Sequence, residues 1–497
     1  MDPFPSHLQQ SRRQFFATSA GGIGAVALAS LLREEGILAG DNADFQRAIV
    51  NPLAPKLPPL APRANACIFI FLAGGPSHID LYDPKPKLNE FHGKSPPADL
   101  LQGVRFAFIK KESASLLGSP RSFRKYGQCG MDFSDRLPFV SECADDICMV
   151  RSMHTDEFNH HPAQLLLSSG RPLYGYPSIG SWLTYGLGSV GRDLPGYVVL
   201  TAGRGPSGGA SLWSSGFLPS TYQGVLFRNQ GEPLLNLNNP PGLSVSSRRQ
   251  VLDAAADLNR DRLEKVGDPE IASRIASYEL AFRMQSAAPE LLDLSRETRE
   301  TVQMYGLGRK DLDPKGVQRT GGPGQSNAFS TNCLLARRMV ERGVRFVNLF
   351  HASWDHHGAL EKSLRFNCHV VDQPIAALLK DLKQRGLLET TLVVCAGEFG
   401  RTPLLDNGKG VDGRDHHPYA FSLWMAGGGV KAGHVHGATD ELGWSPVEEP
   451  VHTHDFQATL LHLFGFDHRQ LSVKFKGLDT RLTGVGDKAH VVEKLLM

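Results

Sequence analysis

Unbroken apolar runs of strand length, each cut off by glycine or by polar residues, constrain this chain more than any other feature. Ala66-Cys67-Ile68-Phe69-Ile70-Phe71-Leu72 is rich in β-branched and aromatic residues and stops at Gly74-Gly75-Pro76-Ser77. A strand with one wet face would alternate polar and apolar residues, so a continuous run reads as a strand covered on both faces. Further strands, less uniformly apolar, are expected at Gly196 to Leu200, Val344 to Leu349 and Thr391 to Ala396. Ahead of the last run, the spacing predicts a helix from Val371 to Arg385, with Ile375, Leu378, Leu379 and Leu382 on one face and Gly386 to stop it. Helix feeding buried strand is the α/β repeat, so a mostly parallel central sheet with helices on both faces is expected.

In such sheets ligands collect beyond the carboxyl ends of the strands, and the polar clusters of this chain fall there. His78 and Asp80 follow the first run. His351, Asp355, His356 and His357 follow the third, and Glu398 and Arg401 the fourth. In Trp354-Asp355-His356-His357-Gly358 a carboxylate and an imidazole two residues apart are both ordinary ligands of one divalent ion. Gly413-Arg414-Asp415-His416-His417-Pro418 repeats the chemistry, and a single histidine on its own would read as a surface or capping group. Two acid-plus-double-His loops in a chain with 19 histidines point to metal binding. Glycines beside Glu398 let the backbone turn and bring its carboxylate to the sheet edge, as ligand or as base. Arg401 carries the planar fork that suits a tetrahedral oxyanion, or else closes the turn as an ion pair with Glu398.

Ser11-Arg12-Arg13-Gln14-Phe15-Phe16, followed by an uncharged stretch too short and too Gly/Ala-rich to span a membrane well, reads as a twin-arginine export signal occupying 1–40. That route carries folded proteins, so the export machinery is an expected partner and a periplasmic or extracellular location is expected. A Pro-rich linker, 41–63, cannot propagate a helix or sit centrally in a sheet. Beyond the signal no window is apolar enough for a second membrane span. Lys plus Arg, 53, nearly balances Asp plus Glu, 51, with no basic block, which argues against a nucleic-acid partner. Seven cysteines without a Cys-x-x-Cys pair argue against a zinc ribbon or a thioredoxin-like site. Cys67 and Cys395 read as core residues, and a bridge within 129–148 is one open alternative.

Charged and apolar residues alternate at helical spacing over 248–305, which predicts two or three surface helices inserted beside the sheet. Residues 309–327, rich in Gly, Pro and basic residues, read as a mobile loop and candidate lid. Gly203-Arg204-Gly205-Pro206-Ser207-Gly208-Gly209 is either an anion cradle or a flexible loop, without the pattern of a P-loop. The main domain is expected over 64–485, with a C-terminal tail at 486–497.

Asp372 through Leu387 to Glu398 resembles the helix-strand unit of the alkaline phosphatase and sulfatase superfamily. Asp455-Phe456-Gln457-Ala458-Thr459-Leu460-Leu461-His462-Leu463-Phe464-Gly465 resembles its late helix, and Pro162 to Gly170 its nucleophile helix. More closely, Trp354-Asp355, Gly397-Glu398-Phe399-Gly400-Arg401-Thr402-Pro403, Gly413-Arg414-Asp415-His416 and Gly427-Gly428-Gly429 resemble the bacterial family of domain of unknown function 1501. The resemblance implies an alkaline phosphatase-like three-layer sandwich and a site for a divalent ion, zinc, manganese or calcium. It would be held by Asp80, Asp355, His357, Glu398 and His416. It also implies an anionic ester, small or polysaccharide, as substrate.

Two departures bear on chemistry. His160 stands where the superfamily carries its nucleophile, and Phe399 stands where a metal-binding His usually follows the acidic residue. Three readings follow. Water activated by the metal attacks a sulfate or phosphate ester, with Glu398 or a histidine as base and Arg401 holding the oxyanion. Alternatively His160 itself is nucleophile or ligand. In the third, the protein is exported and non-catalytic, keeping a structural metal and binding an anionic carbohydrate.

Overall fold

The computed structural model describes residues 51–228, 233–234, 237–317, 321–408, 412–486 and 488–497. The expected signal, 1–40, and the first part of the linker lie outside the described residues. Among the described residues the central sheet has nine strands: β1 (Ala66–Leu72), β2 (Ile147–His154), β3 (Tyr197–Ala202), β4 (Val225–Phe227), β5 (Phe346–His351), β6 (Thr391–Ala396), β9 (Phe421–Ala426), β10 (His434–His436) and β11 (Val451–His452). Between β6 and β9 in sequence, β7 (Gly400–Leu405) and β8 (Arg414–His417) form a separate antiparallel pair. The order across the sheet is β10-β2-β9-β6-β1-β5-β3-β4, with β11 beside β2. Strands β4, β3, β5, β1 and β6 are parallel, and β9 runs antiparallel to both β6 and β2.

Strand β1 explains the three layers. Its side chains alternate between faces. Ile68, Ile70 and Leu72 enter one buried cluster, while Cys67, Phe69 and Phe71 enter another. Helices α1 (His160–Ser169), α2 (Ile179–Leu187) and α8 (Thr453–Leu463) cover the Phe69 face. Helices α6 (Gln325–Glu341) and α7 (Leu360–Gln384) cover the Ile68 face, joined by α4 (Pro269–Leu292) through Met284, Ala288 and Leu291. The expected α/β sandwich, a mostly parallel sheet with helices on both faces, is therefore the observed one.

The 248–305 segment forms α3 (Val245–Val266), α4 and α5 (Arg299–Tyr305). Each starts at a side-chain cap, Ser244, Asp268 or Thr298, that accepts a backbone N–H of the first turn. Helix α3 buries only Ala256 and so lies outermost. Within 309–327, α6 already begins at Gln325, and Asp311 accepts the N–H groups of Gly324, Gln325 and Ser326. The expected loop is thus anchored where it is described.

Two expected boundaries move. Residues 53–63 do not hang free: Lys56 N donates to Leu187 O, Leu60 N to Gly465 O and Arg63 N to Leu463 O. The tail belongs to the domain, because Leu495 is 1 % exposed and Lys431 N donates to Leu495 O. All seven cysteines are free, six of them buried and Cys129 exposed, so the 129–148 bridge is not formed. No helix among the described residues is long and apolar enough to cross a membrane.

Candidate metal centre

Register brings the polar loops together. Leu72 of β1 pairs with His351 of β5, and Phe71 with Ala396 of β6, so three neighbouring parallel strands end flush. Beyond them lie Gly74, Asp355 to His357, and Glu398. The loops pack so closely that a Cβ on Gly74, at φ +121°, would lie 2.6 Å from Asp355 N, which only glycine avoids. In the β7–β8 pair His416 faces Arg401, which carries His416 to the same rim. Helix α1 supplies His160 from its first turn.

Four side chains converge. One ligand atom each from His160, Asp355, His357 and His416 lies within 4.8 Å of the others. Asp355 Oδ1 is 2.9 Å from His160 Nε2, 2.8 Å from His357 Nε2 and 3.3 Å from His416 Nε2. The opposite nitrogen of each ring is already committed. His160 Nδ1 meets Glu398 Oε1 at 2.7 Å, His357 Nδ1 meets Asp406 Oδ2 at 2.6 Å, and His416 Nδ1 meets the Phe158 carbonyl at 2.8 Å. Carboxylates and carbonyls only accept, so all three Nδ1 atoms carry the hydrogen. Each Nε2 then turns a lone pair toward the shared point. Among the described residues His160 Nε2 is buried with no hydrogen bond of good geometry, only the close approach of Asp355, and His357 Nε2 and His416 Nε2 face each other at 3.0 Å. Acceptors this close repel unless a cation or a proton sits among them.

Burial disfavours ionising Asp355, but the Arg401 charge and the three imidazoles outweigh it and hold its carboxyl well below the usual range. Burial pushes His416 down to about 3. For His160 burial also opposes the charge, but Asp355 and Glu398 prevail and its pKa is raised.

Several expected residues serve differently. Asp80 is not at the centre: Arg414 takes its carboxylate in a buried fork, Nε to Oδ2 at 2.8 Å and Nη2 to Oδ1 at 3.3 Å. Glu398, 1 % exposed, lies behind His160 rather than among the converging atoms. Its oxygens accept from His160 Nδ1, from Gly74 N at 3.0 Å and from Gln164 Nε2 at 2.9 Å. Arg401 is 1 % exposed and four of its five N–H groups are taken within the protein, which leaves it little to offer an oxyanion. Its Nε donates to Gly75 O, Nη1 to Arg414 O, and Nη2 to Gly74 O and Asp355 Oδ1. An Arg401 pair with Glu398 does not form either; the partner is Asp355. Phe399 lies tilted against the rings of His160, 5.0 Å between centroids, and His416, 4.7 Å, walling one side of the centre.

Asp406 and Gln164 went unnoticed in the sequence. Asp406 follows β7 in Leu404-Leu405-Asp406-Asn407-Gly408, a pattern that by itself reads as a turn. His357, Asp406 and Asp415 form a second group of potential ligands, but its oxygens are occupied. Asp415 accepts Phe108 N, Ile109 N and His416 N, and Asp406 accepts Gly408 N besides the imidazole. That group supports His357 rather than forming a second centre.

Residues 64–496 match the model of a family described as Protein of unknown function (DUF1501). None of the curated proteins matches the chain. Among solved structures it is similar to the PsFucS1 sulfatase from Pseudoalteromonas sp., at 12% identity over 86% of this chain and 73% of that one, TM-score 0.34. It is similar to the phosphonate monoester hydrolase SpPMH from Silicibacter pomeroyi, at 12% identity over 86% and 76%, TM-score 0.32. The lipoteichoic acid synthase LtaP from Listeria monocytogenes is a third, at 8% identity over 85% and 75%, TM-score 0.32.

Proposed function

We propose that this chain, which belongs to the DUF1501 family, holds one transition-metal ion through His160, Asp355, His357 and His416 and hydrolyses sulfate or phosphate esters after export by the twin-arginine route. The observation that carries the reading is the convergence of three Nε2 lone pairs on Asp355 Oδ1 while every Nδ1–H is engaged elsewhere. Three imidazoles and one carboxylate suit zinc, or manganese less well, and do not suit calcium, which takes oxygen ligands. When bound, such an ion supplies Lewis-acid polarisation of an ester oxygen and favours ionisation of water.

The residues themselves do the rest. Glu398, Asp406 and the Phe158 carbonyl hold the three rings in the tautomer that presents Nε2. Glu398 is spent on this task, so it orients His160 instead of taking a proton. The His160 Nε2, aimed inward at Asp355, fits a ligand better than a nucleophile. Arg401 keeps Asp355 ionised. The ester class rests on the superfamily resemblance of 372–387 and 455–465, and export on Arg12 and Arg13.

A second reading, a non-catalytic binding protein for an anionic carbohydrate with a structural metal, is favoured by the burial of Arg401 and the engagement of four of its five N–H groups within the protein. Elemental analysis of the purified protein, followed by aryl sulfate and aryl phosphate assays with and without added zinc or manganese, separates the two. Metal-dependent turnover supports the hydrolase. Bound metal without turnover of either ester supports the binding protein, and absence of any bound divalent ion removes both.

A further inference from the structure

The glycine-rich segment after β3 is wired to the metal centre through one buried side chain. Gln164 follows His160 by four residues on α1, hence on the same face of the helix, and is 2 % exposed. Its Oε1 accepts from Ser207 Oγ at 2.9 Å and from Gly208 N at 3.0 Å. Its Nε2 donates to Glu398 Oε1 at 2.9 Å. Two donors at Oε1 and an acceptor at Nε2 leave the amide a single satisfied orientation. The same Glu398 oxygen accepts His160 Nδ1–H.

We propose that Gln164 is a positioning residue that couples the Gly203–Gly209 loop to the metal centre: the grip of Ser207 and Gly208 on Gln164 sets how firmly Glu398 orients His160 toward the ion. The inference rests on the metal reading above and extends it to a loop that contributes no ligand. Hydrogen-bond partners beyond the ligands fix ring orientation, and their loss commonly lowers metal affinity about 10- to 100-fold.

The experiment is a chelator-competition titration with zinc alone on wild type, Gln164→Met, Ser207→Ala and the double variant, with the visible spectrum of the cobalt-loaded proteins recorded beside it. Ser207 is exposed and meets the centre only through Gln164, so Ser207→Ala removes one hydroxyl without opening the core and keeps the test open if Gln164→Met does not fold. Gln164→Met should weaken zinc binding about 10-fold and change the cobalt spectrum. Ser207→Ala should weaken it about 3-fold in wild type and leave it unchanged in the Gln164→Met background. Equal effects of Ser207→Ala in both backgrounds, or wild-type affinity and spectrum in both single variants, overturn the coupling. Failure of wild type to bind zinc overturns the metal reading and this inference together.

Discussion

Replacing Asp406 by asparagine tests the orientation of His357 without touching a ligand. Asp406 is fully buried and accepts the His357 Nδ1–H at 2.6 Å. Asparagine fills the same space but is able to present its NH2 to the ring, which selects the opposite tautomer and puts hydrogen on the Nε2 that should face the ion. Asp415 does not substitute, since its Oδ1 lies 3.9 Å from His357 Nδ1 and already takes His416 N–H. A loss of about 10- to 100-fold in metal affinity is expected. With free ion at about 100 times the wild-type Kd, binding stabilises the folded state by about 2.7 kcal/mol, and the variant retains only about 0.4 to 1.4 kcal/mol of that. Unfolding entropy of about 2.1 cal/mol/K per residue over roughly 440 residues turns the difference into a melting shift about 1.4 to 2.5 °C smaller. Calorimetry with and without zinc reads this directly. If the variant loses stability without metal while its zinc-induced shift stays that of wild type, Asp406 is merely a structural group and the tautomer reasoning is wrong.

Asp355→Ala should abolish stoichiometric metal and destabilise the metal-free protein by about 3–5 kcal/mol, because it strands the buried Arg401 guanidinium; chemical denaturation without metal checks it, and an unchanged midpoint would count against the pair. Gly74→Ala should cost about 1–3 kcal/mol and lower metal affinity, since its Cβ drives into the backbone of Trp354 and Asp355; denaturation beside zinc titration measures both. The metal-free protein should be acid-labile. His351, His356, His416 and His417 have folded pKa values pushed down to about 3 by burial, against about 6.5 unfolded. Below pH 6.5 the unfolded chain takes protons the folded one refuses, so stability present above that value is lost as pH falls toward 3, by about 1.4 kcal/mol per unit for each ring. His160, whose folded value is raised, contributes the other way: its share is present below the unfolded value and lost as pH rises through the folded one. Urea midpoints that do not fall between pH 7 and 4.5 would refute this balance.

The sheet was readable where the chain carries its own message. Strands β1 and β6 occupy the residues of their apolar runs, because burial on both faces leaves no polar residue to blur the ends. Helix α7 begins at Leu360, well before the Val371 its periodicity suggests, where Asp412 of a distant loop accepts Ala359 N–H through Oδ1 and Leu360 N–H through its carbonyl. The centre divides in the same way. Asp355, His357 and His416 stand out as acid-and-histidine loops, and their meeting follows from strand ends that lie flush. Asp80 shares that rim, but its partner Arg414 is 334 residues away and nothing local announces the pairing. Whether a carboxylate near a ring is a ligand or the ring's hydrogen-bond acceptor depends on which atom it meets, as Glu398 and Asp406 illustrate.

An ion gripped by His160, Asp355, His357 and His416 is also a clip on the polypeptide. His357 and His416 are 59 residues apart, and the Phe158 carbonyl that steadies His416 lies 258 residues before it. Closing loops of that length costs chain entropy that grows only as the logarithm of loop size, so a single small cation fastens most of the domain at modest expense. No fragment ending before residue 416 contains all four donors. Nascent chains should therefore stay unable to capture the ion until nearly the whole polypeptide has emerged, and chelation should open remote segments together rather than one at a time.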